Sequence, residues 1–307
     1  MKKLKKIKLN NKLIPLVSII IPTYNQAKYI SKALQSIIDQ TFKNWEAIII
    51  DNHSTDDTQK ILNQFVDPRI KCLKINNNGI IAKSRNLGIK FARGEWVAFL
   101  DSDDWWTKDK LEICINNIGD SVDFIYHELE IIGIKSKFKF KKKKYKGRQL
   151  NKPILKNLLF SLIKKGNAIG NSSVLVRKKL LTKIGGISEN KKLVASEDFN
   201  TWLKIAKITD QFKFLKKKLG FYLVHDGSAQ KKDLSTSHRE AVIDFINLFN
   251  DNQKLNFEVK LKYMSANYNL YANDLSKAKK DYMFVIKNGS LDLKLKSLIK
   301  IIIAMFK

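Results

Sequence analysis

Two cysteines, Cys72 and Cys114, are all that the 307 residues contain, and no Cys-x-x-Cys spacing occurs. That scarcity excludes a disulfide framework and a zinc knuckle, and it fits a reducing compartment. Long apolar runs are missing as well. No stretch approaches the ~20 consecutive apolar residues of a spanning helix, and the basic segment 1–14 lacks the apolar centre of a secretory signal. The chain is therefore expected to be cytoplasmic, soluble or peripheral on the cytoplasmic face of the inner membrane. Acids are the third scarcity. Asp and Glu number 29 against 58 Lys and Arg, a formal net charge of +29. Such an excess points to an anionic partner, whether nucleic acid, anionic lipid or a phosphorylated substrate. A base-biased genome produces the same Lys, Asn and Ile richness, so charge alone does not choose among them.

Against these absences stand 44% hydrophobic residues, enough for a substantial core at this length. The stretch Glu95-Trp96-Val97-Ala98-Phe99-Leu100 reads as a short buried strand that delivers Asp101, Asp103 and Asp104 onto its C-terminal end. Carboxylates packed so closely repel one another, and their spacing makes sense around a cation. Upstream, Val17–Ile21 reads as a strand stopped by Pro22, Glu46–Ile50 as a second ending at Asp51, and Ile70–Ile75 as a third. Between them Ile30, Ala33, Leu34, Ile37 and Ile38 repeat at helical spacing, Ile61, Leu62 and Phe65 line a second helix, and Ile81–Ala92 forms a third that Gly94 terminates. This alternation specifies a parallel, doubly wound α/β sheet, whose ligands bind beyond the carboxyl ends of the strands. Three such ends carry polar clusters: Thr23-Tyr24-Asn25, Asp51, and Asp101 to Asp104.

Further on, a helix is expected over Lys108–Ile118 and a strand near Asp123–Tyr126. Lys135 to Lys146 is a lysine run with Phe138, Phe140 and Tyr145 interleaved, read either as a basic loop bearing on phosphates or lipid or as a solvated loop. Gly170-Asn171-Ser172-Ser173 looks like a turn entering a strand, Ser196 like the cap of a helix with Glu197 and Asp198 in its first turn, and Leu223 to Ser228 like the end of a further strand. From Ser237 the pattern is helical. The last helix, Leu291–Phe306, sets Leu295, Ile299, Ile302 and Phe306 on one face and Lys296 and Lys300 on another, which suits either a membrane interface or packing on neighbouring helices. The expected division is a basic segment 1–14, a catalytic domain 15–234 and a helical region 235–307.

Asp101-Ser102-Asp103, taken with Pro22-Thr23-Tyr24-Asn25, Asp51 to Asp56, Ser84-Arg85-Asn86-Leu87-Gly88 and Glu197-Asp198, resembles the family 2 glycosyltransferases of the GT-A fold. The resemblance covers roughly residues 15–230 and rests on motifs in the expected order at predicted strand or helix ends. It implies a GT-A, Rossmann-like, mostly parallel sheet flanked by helices, with a C-terminal helical extension. It also implies inverting transfer of a sugar from a nucleotide diphosphate donor, usually UDP-linked, to an acceptor hydroxyl in surface-glycan assembly.

By that resemblance Asp103, with Asp101 and His225, would hold Mg²⁺ or Mn²⁺ at the donor's phosphates, and Asp101 and Ser102 would lie near the ribose. Pro22, Thr23, Tyr24 and Asn25 would line the base pocket, Asp51 would accept from the uracil ring, and Arg85 would face the diphosphate. The second acid of the Asp51 motif is here Asn52, and its glycine position is His53. Asp198 is the expected base, with Glu197 in reserve. Each has a plainer reading: acids complementing a helix dipole, an exposed helical arginine, a strand-end turn, a surface histidine. Trp105, Trp106 and Trp202 suit a sugar platform or the core. The expected partners are a UDP-sugar, a glycan or lipid-linked acceptor and an anionic membrane surface. The competing functions are a basic nucleic-acid-binding protein, disfavoured because no binding module is present, and a nucleotidyltransferase, whose glycine-rich phosphate loop is missing.

Overall fold

The computed structural model describes residues 15–133, 151, 158–225 and 233–305, together with short backbone elements at 8–9 and 12–13. The Lys135–Lys146 run, Asp226 to Ser228 and Phe306 lie outside the described residues. The chain forms two compact units: one of Met1–Ile154, Ala168–Glu189 and Lys204–Val224, the other of Leu155–Asn167, Asn190–Leu203 and His225–Lys307.

In chain order the first part runs β1 (Lys8–Leu9), β2 (Lys12–Leu13), β3 (Val17–Thr23), α1 (Ile30–Ile38), β4 (Trp45–Asp51), α2 (Thr58–Leu62), β5 (Ile70–Lys74), α3 (Ile81–Phe91), β6 (Trp96–Phe99), β7 (Trp105–Trp106), α4 (Lys110–Asn116) and β8 (Phe124–Ile132). There follow α5 (Leu158–Lys165), β9 (Leu175–Arg177), α6 (Lys178–Lys183), α7 (Glu197–Ile208) and β10 (Phe212–Leu223). Then come α8 (Ser235–Val242), α9 (Asp251–Tyr271), α10 (Leu275–Asn288) and α11 (Leu291–Met305).

The first unit is built on an eight-stranded sheet of order β5-β4-β3-β6-β9-β8-β10-β7. β5, β4, β3 and β6 run parallel, as do β8 and β10. The central strands β3 and β4 are buried along their whole length, which is why they read as continuous apolar runs rather than alternating ones. Ile30, Ala33, Leu34 and Ile37 turn the apolar face of α1 inward, as their spacing requires.

The mostly parallel sheet expected is observed, with two antiparallel strands that the sequence reading did not orient. β9 lies antiparallel between β6 and β8, and β7 lies antiparallel to β10. Strands of three and two residues leave no periodicity to read.

Pro22 does not stop β3, which continues to Thr23. Leu100 N–H donates to Ile20 on the β6 side and Asn52 N–H to Thr23 on the β4 side. Pro22, two residues beyond Ile20, therefore aims its nitrogen at β6, whose pairing ended at Ile20↔Phe99, and no ladder bond is lost. Gly94 does not cap α3 either. A Cβ there would lie 2.7 Å from the Ser18 nitrogen, so glycine lets the chain pass close beneath the start of β3.

In the second unit α9 opens with a capping box between Asn250 and Gln253. Ala266, Ala278 and Tyr282 form an inner cluster that Tyr263, Leu270 and Ile301 cover. Ser297 of α11 is fully buried, whereas Leu295, Ile299 and Ile302 are exposed. Those three residues therefore do not pack on neighbouring helices of their unit.

Candidate active site

The C-terminal ends of β3 and β4 lie side by side, with Thr23 opposite Asp51 in the register. Asp51 is buried, and its Oδ1 accepts from the Ser54 N–H at 3.1 Å and the Ser54 hydroxyl at 2.5 Å. Asn25, in the left-handed region at φ 51°, ties the two loops together. Its N–H donates to Ser54 Oγ at 2.9 Å, and its Oδ1 accepts from Thr55 N–H at 2.8 Å. Asn25 thus organises the pocket through its neighbours. Thr23 carries a buried hydroxyl with no partner, and Tyr24 beside it is 52% exposed. His53 adopts φ 54°, which shows why a glycine suits this position: a side chain there costs about 1 kcal/mol. Asn52 accepts the Asn77 N–H at 2.8 Å, a task an amide oxygen performs as well as a carboxylate.

At the end of β6 the three acids have three environments. Asp101 Oδ1 accepts from Arg85 Nη2 at 2.8 Å and from Asn171 Nδ2 at 3.1 Å. Arg85 is 3% exposed, which excludes the reading of a solvated helical arginine. Ser102 is buried in a tight turn closed by Asp104 N–H donating to Asp101 O at 3.0 Å. Asp103 is partly exposed at the rim. Asp104 is buried, accepting from Leu223 N–H at 3.0 Å and from the Ser172 hydroxyl at 2.5 Å. Burial, then the charges of Asp103 and Asp101, push its carboxyl well above the ordinary value. Asp104 is a brace between the acid turn, the end of β10 and the segment before β9.

The tryptophans are accounted for by packing. Trp106 and Trp202 are buried, and Trp106 donates through Nε1 to Ser172 O at 2.7 Å. The Trp105 ring stacks on Phe221 at 5.2 Å and carries Lys32 Nζ 3.2 Å from its centroid.

α3 explains its own motif residue by residue. Ser84 Oγ accepts from Asn77 Nδ2 at 2.9 Å. Arg85 reaches Asp101. Asn86 donates to Ile187 O at 2.8 Å and accepts from Ile187 N–H at 2.9 Å, closing the turn after α6. Gly88 lies against the sheet, where a Cβ would meet Ile20 Cγ2 at 2.6 Å. That close approach brings Arg85 within reach of the β6 end.

This arrangement has known counterparts. The sequence profile of glycosyl transferase family 2 matches residues 18–185. The chain belongs to that family. Among relatives, the Escherichia coli UDP-Glc:alpha-D-GlcNAc-diphosphoundecaprenol beta-1,3-glucosyltransferase WfgD is 34% identical over 196 residues, covering 62% of this chain and 70% of that protein. The putative teichuronic acid biosynthesis glycosyltransferase TuaG of Bacillus subtilis is 48% identical over 100 residues, 32% of this chain and 40% of its own length. The match thus spans less than half of TuaG. Residues 1–349 of S. aureus TarS, solved with UDP-GlcNAc, superimpose with a TM-score of 0.62 at 19% identity, covering 94% of this chain and 88% of that one. A Pyrobaculum calidifontis mannosyltransferase solved with GDP-Man and Mn²⁺ gives 0.61 at 17% identity, covering 95% and 81%. At such identities the likeness establishes the fold alone, which is GT-A.

The expected base Asp198 and its reserve Glu197 lie in the second unit, at the start of α7 and beyond the matched residues. Glu197 is 6% exposed, whereas Asp198 is partly open, so Asp198 is the more reachable of the two. Asn167 Nδ2 stands 3.0 Å from both Asp198 oxygens, and Phe199 N–H donates to Oδ1 at 2.7 Å. Ser196, expected only as a cap, directs its hydroxyl to Ser237 Oγ at 2.8 Å and His238 Nδ1 at 2.9 Å. His225 follows β10 and is partly buried.

Among the described residues no group of three or more His, Cys, Asp or Glu side chains is placed to hold a metal ion. The donor chemistry of the acid turn nevertheless fits a hard cation. Asp101 and Asp103 load charge onto Asp104, and Mg²⁺ or Mn²⁺ commonly takes one or two carboxylates and completes its shell with phosphate oxygens and water. The sequence reading missed Asn171, Ser172 and Asn167, since small polar residues between apolar runs announce only a turn.

Proposed function

We propose that this family 2 domain transfers a sugar from a UDP-linked donor, with inversion, to a hydroxyl of a glycan or lipid-linked acceptor during surface-glycan assembly. The observation that carries the reading is the juxtaposition of Thr23, Tyr24 and Asp51 on adjacent parallel strand ends, with the Asp101–Arg85–Asn171 cluster at the next. The names of WfgD and TuaG support the acceptor class, and the nucleotide bound to TarS supports the donor.

Tyr24 offers a face for stacking, and the unpartnered Thr23 hydroxyl and Asp51 supply hydrogen bonds to a pyrimidine edge. Asp103 and Asp101 would hold a Mg²⁺ or Mn²⁺ ion, which supplies charge neutralisation to a departing diphosphate. Arg85 fixes one Asp101 oxygen, leaving the other to face the ligand. Asp198, ionised in the first turn of a helix, takes the acceptor hydroxyl's proton as that oxygen bonds to the anomeric carbon and the bond to UDP breaks.

The test is UDP release from UDP-glucose and UDP-N-acetylglucosamine in the presence of undecaprenyl diphosphate-linked N-acetylglucosamine, with and without chelator. Asp198→Asn is expected to lower turnover at least about a hundredfold. Full turnover of that variant removes the base assignment, and indifference to chelator removes the metal.

The acceptor class brings a membrane with it. The outer face of α11 exposes Leu291, Leu295, Leu298, Ile299, Ile302 and Ile303 as one stripe, with Lys294 and Lys296 at its margins. No described helix is long and apolar enough to cross a membrane. A short apolar stripe bordered by cations suits the interface of an anionic bilayer. Sedimentation with phosphatidylglycerol vesicles, lost in Ile299→Asp with Ile302→Asp and weak on neutral vesicles, is the expected result. Equal recovery of the variant with both vesicle types would refute the surface.

A further inference from the structure

We propose that Asn167 is the positioning residue for Asp198, and that Lys260 of α9 holds Asn167 in place. The inference rests on the reading of Asp198 as the acceptor-side base.

Asn167 Nδ2 lies 3.0 Å from Oδ1 and 3.0 Å from Oδ2 of Asp198. The amide's orientation follows from chemistry, because its oxygen would repel the carboxylate. That oxygen points the other way, buried and without a partner. With the Phe199 N–H on Oδ1 at 2.7 Å, Asn167 and the backbone together give the carboxylate neutral donors that fix its plane. A lysine or arginine in place of Asn167 would orient the group equally well. Its charge, however, would favour the ionised form so strongly that the carboxylate became a poor proton acceptor. An amide orients without that loss.

The residue that carries this amide is itself fixed from behind. Asn167 follows α5 through Gly166, which takes φ +76°. Lys260 Nζ donates to the last-turn carbonyls of α5, Ile163 O at 3.3 Å and Lys164 O at 3.2 Å. A Cβ on Gly166 would lie 2.5 Å from that ammonium, and the positive φ of Gly166 is what makes glycine the residue suited to this turn beside Lys260. Burial lowers Lys260 to about 8, and its acceptors here are carbonyls. A largely buried lysine spent on two carbonyls serves local geometry, because a helix C-terminus in water needs no such partner. The same end of α7 is secured from α8, where Asn200 Nδ2 donates to Ala241 O at 3.0 Å.

The experiment compares Asn167→Ala, Asn167→Gln, Lys260→Met, Asp198→Asn and the double variant Asn167→Ala with Asp198→Asn, all in the full chain and in the UDP-release assay above. Asn167→Ala is expected to lower kcat by about 10–100-fold with the donor KM unchanged. Asn167→Gln should recover part of the loss, and Lys260→Met should lower kcat by about threefold to tenfold, again without a change in donor KM. The double variant should be no slower than Asp198→Asn alone. Loss of Asp198→Asn activity with full kcat in both Asn167→Ala and Lys260→Met overturns the positioning role and leaves the base standing. Full activity of Asp198→Asn overturns the base reading itself. Losses that add in the double variant, or that raise donor KM, place Asn167 in another task and overturn the inference. If Asn167→Ala does not fold, Lys260→Met and Asn167→Gln carry the same decision.

Discussion

Three acids sit within four residues at the β6 end, and no two of them do the same work. Asp104 is turned inward as a hydrogen-bond acceptor for a backbone amide and a serine hydroxyl. Its removal leaves both donors buried and unmet. Asp104→Ala is therefore expected to cost about 2–4 kcal/mol, whereas Asp104→Asn, which keeps an oxygen toward Leu223, should cost under about 1 kcal/mol; urea unfolding measures the difference. Equal losses would show that charge rather than hydrogen bonding matters at this position. Asp101 is bound to Arg85, whose side chain is almost wholly buried while the acid remains partly open. Asp101→Ala removes a carboxylate that lies 2.8 Å from a buried guanidinium and should destabilise by about 3 kcal/mol in addition to any loss of activity. Arg85→Lys should not restore the pair, because a point charge on a flexible stem does not reproduce a planar fork. An Asp101→Ala variant as stable as the wild type would mean that Arg85 finds another acid.

Elements set how near these side chains come to one another. α3 can carry Arg85 to the acid turn only because Gly88 presses it onto β3 and β4. In Gly88→Ala the new methyl falls 2.6 Å from Ile20 Cγ2 and 2.9 Å from Ile50 Cδ1, so the helix or the two side chains must move. The expected cost is about 1–3 kcal/mol, read from the melting transition. Turnover should fall further than stability explains, since Arg85 moves with the helix. A variant that melts lower yet turns over normally would uncouple the helix from the site. β9 and β7 act in the same way on the other flank. They are too short to be recognised by alternation, but by pairing antiparallel to β6 and β10 they bring Asn171 and Ser172 to the acid turn. The apolar face of α1 and the buried runs of β3 and β4 are legible in the chain because burial on one side or on both leaves a pattern there.

At the scale of the whole molecule, two buried histidines make the stability depend on pH. Burial, then repulsion from Lys110, lowers His127 to about 3, and burial, then Lys260, lowers His238 to about 4. The unfolded chain takes up these protons near 6.5, the ordinary histidine value. Between those values it binds more protons than the folded chain, so stability is full above about pH 6.5 and is lost as pH falls. The loss at pH 5 is about 2 kcal/mol for each histidine. Melting temperatures should drop between pH 7 and 5, and His127→Leu should remove roughly half of that drop. A flat profile would mean that neither ring is held neutral.

Residue order alone was enough for the alternation of strands and helices, for the polar clusters at the ends of β3, β4 and β6, and for the family. These are local properties: a buried strand must be apolar along its length, and a polar cluster that follows one marks where it leaves the core. The jobs within the clusters were not local. Asp101, Asp103 and Asp104 are alike as letters, and only the approach of Arg85, Ser172 and Leu223 from distant positions made one an ion-pair partner, one a partly exposed rim acid and one a buried brace. The same holds for Asn167, which nothing marks in the chain and which stands within 3.0 Å of Asp198 only after folding. Patterning decides which residues are buried, because water rejects apolar surface wherever it lies. What a polar side chain does depends on which other polar groups share its desolvated surroundings, and tertiary structure alone decides that.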